Sequence, residues 1–282
     1  FKGGKKFWGG IGQTIADAIK LLLKEDIVPR DADKKLMLLA PFIIFIGAFL
    51  TWVAVPLSEN LVVSDFNIGI FYIIAMSSVG VIGIILAGWS SNNKWSLYGA
   101  MRAAAQIISY EIPIAITLLL PVIISGGLDV HSIVDWQLDN RWIIIHSPFA
   151  FIAFFIFFIS GVAETNRTPF DIPEAESELV AGWMTEYSGF RWSLFFLSEY
   201  TNMLIISLVA SFVFLGGWGS PLTIINLVPG DYMYLDGPIW GFFWILFKAI
   251  ILIFVMMWFR WTFPRLRVDQ LMYLCWKVFI PF

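Results

Sequence analysis

Long apolar segments recur along the chain and are separated by shorter polar connectors. A helix needs about 20 residues to cross the roughly 30 Å hydrocarbon core of a bilayer. Six segments meet or approach that length: 36–57, 67–89, 103–124, 147–163, 194–217 and 239–259; a seventh, 270–282, is short for a span. Only 14% of the 282 residues are charged, against roughly 25% in soluble domains. The sequence therefore predicts an all-α, polytopic membrane helix bundle with about seven visible spans.

The first 35 residues differ from the segments that follow. Ile15, Ile19, Leu22 and Leu23 recur at helical spacing, with polar and charged residues between them. This pattern is typical of an amphipathic helix that lies at the membrane surface. We therefore predict an interfacial helix and loop at 1–35, followed by a transmembrane bundle at 36–282.

The positive charges separate the connectors into two groups. The N-terminal region and the segments 90–102, 164–193 and 260–269 contain 15 of the 18 lysines and arginines. The alternate connectors contain only Arg141, and Lys248 and Lys277 lie within apolar segments. This alternation follows the positive-inside rule, which places the Lys/Arg-rich side in the cytoplasm of a bacterium.

Composition excludes several classes of function. The net charge is −3 and no basic stripe is present, which argues against nucleic-acid binding. A single cysteine, Cys275, and two separated histidines, His131 and His146, are too few for an iron–sulfur cluster, a cysteine-based zinc site or a transmembrane haem. We therefore expect no metal or cofactor on this chain, so any electron carriers belong to other chains.

The connector 164–193 is rich in acidic residues although it lies on the predicted cytoplasmic side. It contains six carboxylates and two arginines: Glu164, Asp171, Glu174, Glu176, Glu178 and Glu186, with Arg167 and Arg191. Crowded, partly desolvated carboxylates change their affinity for protons and can store and pass them. The alternative is a solvated acidic loop, in which the Asp171-x-x-Glu174 spacing marks the start of a helix.

Ionisable residues also occur inside the apolar segments. Glu111 lies in the middle of 103–124, and Glu199 lies about one turn inside 194–217. Acids at such positions usually have a function, although each could instead form a structural hydrogen bond between helices. Lys248 lies near the middle of 239–259, where we expect it to need a partner carboxylate or water.

Arginines and aromatic residues adjoin each other in the acidic connector. Phe170 follows Arg167, and Phe190 and Trp192 flank Arg191. A cation beside aromatic rings can hold a quinone head group while the apolar tail extends toward lipid. The alternative is a cation–π contact that only braces the loop.

Long stretches of the sequence closely resemble the quinone-site membrane subunit of the proton-pumping NADH:quinone oxidoreductase, respiratory complex I. They are ADAIKLLLKEDIVP (16–29), GWSSNNKWSLYGAMRAAAQIISYEIP (88–113), GVAETNRTPFDIPEAESELVAGWMTEYSGFRWSLFFLSEY (161–200) and RWTFPRLRVDQLMYLCWK (260–277). This family has eight spans, so the family's first span is expected to be absent from this sequence.

The resemblance implies a role for each candidate residue. It assigns a proton-relaying carboxylate line to Glu111, Glu164, Asp171, Glu174, Glu176, Glu178 and Glu199. It assigns the quinone tunnel, or the structure of its loop, to Arg167, Phe170 and Arg191, to which we add Phe190 and Trp192.

The resemblance also implies the molecular setting. The substrate is a quinone, while NADH, FMN and iron–sulfur clusters are bound by partner subunits. The expected partners are the quinone-module subunits of the peripheral arm, the antiporter-like membrane subunits and membrane lipid. The expected location is the bacterial inner membrane, or the mitochondrial inner membrane in a eukaryote.

Two other functions remain open from the sequence. The nearer is the related membrane anchor of a membrane-bound hydrogenase or formate hydrogenlyase, which reduces no quinone. The second is a stand-alone ion channel or secondary transporter, although the inverted repeats expected of many transporters are not evident.

Overall fold

The computed structural model describes residues 12–173, 180–221 and 238–282, and these residues form helices joined by turns. The helices in chain order are α1 (Gly12–Leu23), α2 (Lys34–Thr51), α3 (Gly69–Ser90), α4 (Lys94–Ser125), α5 (Val130–Asp139), α6 (Ile143–His146), α7 (Pro148–Glu164), α8 (Gly189–Phe214), α9 (Pro238–Thr262) and α10 (Val268–Tyr273). Short 3₁₀ turns follow α2 at Trp52–Ala54 and precede α8 at Gly182–Met184, and α10 continues as a π-helical segment, Leu274–Phe279.

Five helices in the described part of the chain are long and apolar enough to cross a membrane. They are α2 with its 3₁₀ extension, α3, α4, α8 and α9, and the 17-residue α7 is apolar but shorter. Large apolar side chains such as Ile46, Phe71, Phe149 and Phe254 are exposed on their outer faces. Such faces suit a lipid solvent, so the protein is an all-α polytopic membrane bundle, as the sequence predicts.

Side-chain caps set several of the helix boundaries. The Asp33 carboxylate accepts hydrogen bonds from the backbone N–H groups of the first turn of α2, and Asn93 does the same for α4. Ser147 caps α7, whose first residue is Pro148. Asp, Asn and Ser satisfy the otherwise unpaired N–H groups of a first helical turn.

Sequence neighbours pack side by side in the bundle. α3 lies between α2 and α4, α4 also contacts α7, and α8 contacts both α2 and α9. Glycines permit the closest approaches: a Cβ on Gly88 would lie 2.3 Å from the Cβ of Ala100, and one on Gly161 would lie 2.5 Å from Ile206. Small residues let transmembrane backbones approach closely, which gains van der Waals contact.

The amphipathic helix predicted near the N-terminus is present as α1. None of its residues is buried, and Ile15, Ile19, Leu22 and Leu23 are exposed. The end of α1 contacts α8. Its position at the membrane surface stays a prediction.

The connector 125–146 contains structure that the sequence pattern did not predict. α5 and α6 both form there, and the buried Gln137 of α5 donates a hydrogen bond to the Phe212 carbonyl of α8. The Gln137 carbonyl oxygen also accepts hydrogen bonds from the N–H groups of Ile143 and Gly216. One amide side chain thus ties this connector to the end of α8.

The partners of Lys248 are backbone carbonyls and not the carboxylate that the sequence suggested. Its ammonium, on α9 and only 5% exposed, donates hydrogen bonds of 2.7, 2.8 and 2.7 Å to the carbonyls of Leu215, Gly217 and Gly219. It also lies 4.4 Å from the centroid of the Trp142 ring. Lys248 therefore places a positive charge at the carbonyl end of α8, where a cation interacts favourably with the helix dipole.

Candidate functional site

A small cavity lies between α2, α3, α4, the end of α7 and the first turns of α8. Its volume is about 30 Å³. Two of the predicted carboxylates, Glu164 and Glu199, line it together with Ser77 and Asn202. A buried water needs at least about 10–15 Å³ of such space and several polar partners. The cavity can therefore hold one or two water molecules between two carboxylates, but it is too small for a quinone ring.

A third predicted carboxylate adjoins this cavity. Glu164 is the last residue of α7, where its side chain hydrogen-bonds with Ser77 and interacts electrostatically with Glu111 of α4. The Glu111 Oε1 atom is buried and has no hydrogen-bond partner among the described residues. The fold thus brings Glu111, Glu164 and Glu199 together from three different helices.

A buried arginine, Arg167, lies beside Glu199. Arg167 is 9% exposed, and its Nη2 lies 3.9 Å from Glu199 Oε2. Its guanidinium carbon lies 4.4 Å from the centroid of the Tyr200 ring and 5.9 Å from that of Phe196. The cation is held between a carboxylate and two aromatic rings.

Arg167 forms its ion pair with the following helix and not with Glu164, the acid nearest to it in the sequence. Glu164 and Arg167 are three residues apart and would pair on a continuous helix. However, α7 ends at Glu164, and Asn166 adopts a positive φ of 51°. The chain therefore turns before Arg167, and the ion pair forms with Glu199 of the following helix.

Of the four remaining acidic candidates, Asp171 is the one that the structure describes, and it does not line the cavity. Asp171 pairs instead with Arg265, with 2.9 Å between Oδ2 and Nη2, and the Leu266 N–H donates to the Pro169 carbonyl beside it. These contacts fasten the turn after α7 to the segment before α10. Glu174, Glu176 and Glu178 lie outside the described residues.

The aromatic candidates for quinone contact occupy different environments. Phe170 is 4% exposed and contacts Tyr110 edge to face in the core, so its ring supports the turn from inside. Phe190 is 46% exposed, and Trp192 stacks on Phe196. Phe190 and Trp192 thus lie on the first turns of α8, separate from Phe170.

Arg191 joins the start of α8 to the segment after α1. Its Nη2 lies 2.8 Å from Asp26 Oδ2. Ser188 accepts a hydrogen bond from the Ile27 N–H and donates one to the Glu25 carbonyl. Gly189 adopts a φ of +59°, and a Cβ there would lie 2.9 Å from the Lys24 carbonyl oxygen, so glycine is needed at this contact.

Gln106 holds the turn between α7 and the acidic connector, a role that the sequence pattern did not reveal. This buried residue of α4 places its Nε2 2.8 Å from each of the Ala163 and Phe170 carbonyl oxygens and 3.2 Å from Asn166 Oδ1. The sequence signal that could have identified this role is a single amide side chain among small and apolar residues. Such a side chain, if buried, is expected to be hydrogen-bonded.

Tyr187 is a second residue whose structural role the sequence pattern did not reveal. Its phenol shares a 3.1 Å hydrogen bond with Ser90, at the end of α3. Burial raises the pKa of this phenol, while the Ser90 hydrogen bond and the Arg191 charge oppose the shift. The group therefore stays protonated at neutral pH and links the connector to α3.

Among residues 12–173, 180–221 and 238–282, no three or more His, Cys, Asp or Glu side chains are grouped so that they could hold a metal ion. The carboxylates that line the cavity can exchange protons with water beside the permanently charged Arg167.

Comparison with known proteins identifies the family. A family model described as NADH dehydrogenase matches residues 3–282. An NADH-quinone oxidoreductase subunit of Chlorobaculum tepidum is 52% identical over 98% of this chain and 77% of its own length. The equivalent subunits of Bacteroides thetaiotaomicron and of a Geobacillus strain are each 49% identical, covering 97% and 96% of this chain and 75% and 77% of their own lengths. The chain belongs to the NADH dehydrogenase family, in the group formed by these NADH-quinone oxidoreductase subunits.

Proposed function

We propose that this chain is the membrane subunit of an NADH-quinone oxidoreductase that forms the quinone tunnel with the peripheral arm. In this proposal the chain relays the energy of quinone reduction through carboxylates to the proton-pumping membrane arm. The observation that carries the proposal is the convergence of Glu164 and Glu199 on one small cavity, with Glu111 and Arg167 on either side. The names of the curated relatives support it over a hydrogenase anchor or a stand-alone transporter.

Electrostatic coupling explains how such a line could carry a signal. Glu111 and Glu164 interact electrostatically, and Glu164 and Glu199 share the walls of one cavity. In surroundings of low dielectric constant, the protonation of one carboxylate changes the free energy of ionising its neighbour. A proton gained or lost by the carboxylate at one end of the line therefore changes the fraction of protonated carboxyl groups at the other end.

Arg167 places a constant positive charge at one end of this line of carboxylates. Its guanidinium stays charged in any protein environment, and it lies 3.9 Å from Glu199. Reduction of a quinone consumes protons as well as electrons, so it changes the charge balance of the connector that contains Arg167. We propose that this change reaches Glu199 through Arg167 and passes to Glu164 across the cavity.

The redox chemistry itself belongs to other chains in this proposal. NADH, FMN and iron–sulfur clusters would be bound by the peripheral arm, and this chain would contribute walls and carboxylates to the tunnel. Glu174, Glu176 and Glu178 would continue the line toward the quinone. Phe190 and Trp192 would contact the quinone where it enters from lipid.

Replacement of the cavity carboxylates by their amides tests the proposal. Glu164→Gln and Glu199→Gln keep the side-chain shape but remove a titratable proton, so proton pumping should fall by about tenfold or more. Pumping is measured in sealed vesicles during NADH oxidation, with assembly checked on native gels.

Glu59→Gln is the matched control, because Glu59 is exposed on the connector between α2 and α3. This variant should pump normally. Full pumping by both cavity variants, in an assembled complex, would contradict a proton-relay role for the cavity.

A further inference from the structure

Two hydrogen bonds connect the middle of α4 to α10 and the π-helical segment that continues it. The hydroxyl of Tyr110 on α4 donates a 2.9 Å hydrogen bond to the Leu271 carbonyl of α10. The thiol of Cys275, one turn after Leu271, donates a 3.0 Å hydrogen bond to the Ser109 carbonyl of α4. All four residues are buried. The two bonds run in opposite directions between the same two elements, and we call them together the Tyr110–Cys275 clasp.

Pro113 explains why the Ser109 carbonyl needs a donor from outside α4. In an α-helix a carbonyl accepts a hydrogen bond from the N–H group four residues later. Four residues after Ser109 stands Pro113, inside α4, and proline has no N–H group. Backbone groups that proline frees in a membrane helix are satisfied by neighbouring helices. The Cys275 thiol is such a neighbour, although it is a weak donor.

The element that supplies this thiol has an unusual backbone. α10 continues as a π-helical segment, and the Ile280 N–H donates to the Cys275 carbonyl, five residues back. Such turns are rare and are frequent at functional sites. Phe279, one turn after Cys275, contacts the Tyr110 ring edge to face, with 6.2 Å between the ring centroids. The π-helical segment thus meets α4 through a hydrogen bond and a ring contact at adjacent residues.

Glu111 lies in the turn of α4 that the clasp holds. This turn runs from the Ser109 carbonyl to Pro113. The Glu111 Oε1 atom is buried and has no hydrogen-bond partner among the described residues, so its position depends chiefly on the α4 backbone. The same carboxyl group interacts electrostatically with Glu164. A change in this turn would therefore change the distance between the two carboxyl groups.

We infer that Cys275 and Tyr110 are positioning residues for Glu111. The clasp fixes the α4 turn at Pro113, so the Glu111 carboxyl group stays within electrostatic reach of Glu164. Each of the two residues acts through the α4 backbone and does not itself carry the proton. The inference rests on the proposed function, because it assigns the clasp to the line of carboxylates that includes Glu111.

Variants of Cys275 test the inference in sealed vesicles that contain the complete assembly. Cys275→Ala removes the donor, so the number of protons pumped per NADH oxidised should fall about threefold, the effect of one weak hydrogen bond on an equilibrium. Cys275→Ser is the matched variant, because it also lacks the sulfur but keeps a hydroxyl donor. It should restore most of the pumping. Tyr110→Phe removes the reciprocal hydrogen bond and should lower pumping to a similar extent.

Ser211→Ala is the control for the loss of a buried donor elsewhere. The Ser211 hydroxyl donates a 2.7 Å hydrogen bond to the Ser207 carbonyl within α8. This variant should pump normally. Native gels and NADH oxidation with a hydrophilic acceptor measure assembly, and a merely structural defect would lower both without changing the protons pumped per NADH.

Glu111→Gln separates the inference from the proposed function. Full pumping by this variant would overturn the relay through Glu111 and the inference with it. Reduced pumping by Glu111→Gln, with normal pumping by both Cys275→Ala and Tyr110→Phe, would overturn the inference alone. Equal losses in Cys275→Ala and Cys275→Ser would also overturn it, since the donor would then be irrelevant. If Cys275→Ala does not assemble, Tyr110→Phe, which keeps the thiol, decides.

Discussion

At the scale of single residues, the site depends on one buried cation among several carboxylates. The side chains of Arg167 and Glu199 are only 10% and 12% exposed, so water screens their attraction weakly. Tyr200 lies against the same guanidinium. Removal of Arg167 would leave Glu199 beside the cavity without this counter-charge.

Arg167→Ala should therefore impair quinone reduction more than electron entry from NADH. Breaking a buried ion pair costs about 3 kcal/mol, chiefly because the remaining charge is left uncompensated. NADH oxidation is measured with a hydrophilic artificial acceptor and with a quinone, on membranes in which assembly has been verified. Arg167→Lys retains the charge and should keep more quinone activity. Equal loss in both assays would instead indicate a role in assembly, and no loss in either would indicate an ordinary connector.

At the scale of helices, the two ends of α8 are held by different chemistry. Its first turns are tied to the segment after α1 through Asp26 and Arg191, while its last carbonyls and the following turn accept three hydrogen bonds from Lys248. An ammonium has three N–H donors, and all three are used here. Because α8 contains Glu199, its placement determines where that carboxylate lies.

Lys248→Met should destabilise the bundle by about 3 kcal/mol, because it leaves three carbonyls near the end of α8 without their charged donor. The thermal unfolding midpoint of the purified assembly measures the loss. Lys277→Met is the control, since Lys277 is exposed on the π-helical segment. Equal midpoints for the two variants would show that the Lys248 contacts contribute little stability.

At the scale of the whole molecule, the helices and the charge pattern define two faces. The Lys/Arg-rich ends comprise the segment after α1, the α3–α4 turn, the connector after α7 and the segment before α10. The opposite face contains α5 and α6. Arg167 and Glu164 both belong to the Lys/Arg-rich half, since the connector after α7 contains them or begins at them.

Cysteine labelling should place these faces on opposite sides of the membrane. Lys35→Cys at the start of α2 and Asp139→Cys at the end of α5 both replace exposed residues. A membrane-impermeant maleimide applied to vesicles of each orientation should label one variant from the cytoplasmic side and the other from the opposite side. The native Cys275 is buried and should not contribute. Labelling of both variants from one side would refute the topology.

The sequence alone determined the class of fold and the approximate helix positions, since both depend on local chemistry. Apolar runs of membrane-spanning length predicted α2, α3, α4, α8 and α9, and α7 formed where 147–163 indicated a short span. Polar residues at helix starts, such as Asp33 and Asn93, set boundaries through contacts within one turn. The sequence also singled out Glu111 and Glu199, because isolated acids in apolar segments are costly and therefore informative, and it singled out Glu164 as part of the acidic connector.

Only the tertiary structure decided which of these residues meet. The partners of Arg167, Lys248 and Gln106 are 32, 29–33 and 57–64 residues away along the chain. Spacing rules apply only while a helix continues, and the turn at Asn166 removes Arg167 from the face of Glu164. Helix packing brings distant segments together, so the cavity between Glu164 and Glu199 follows from contacts that no local pattern specifies.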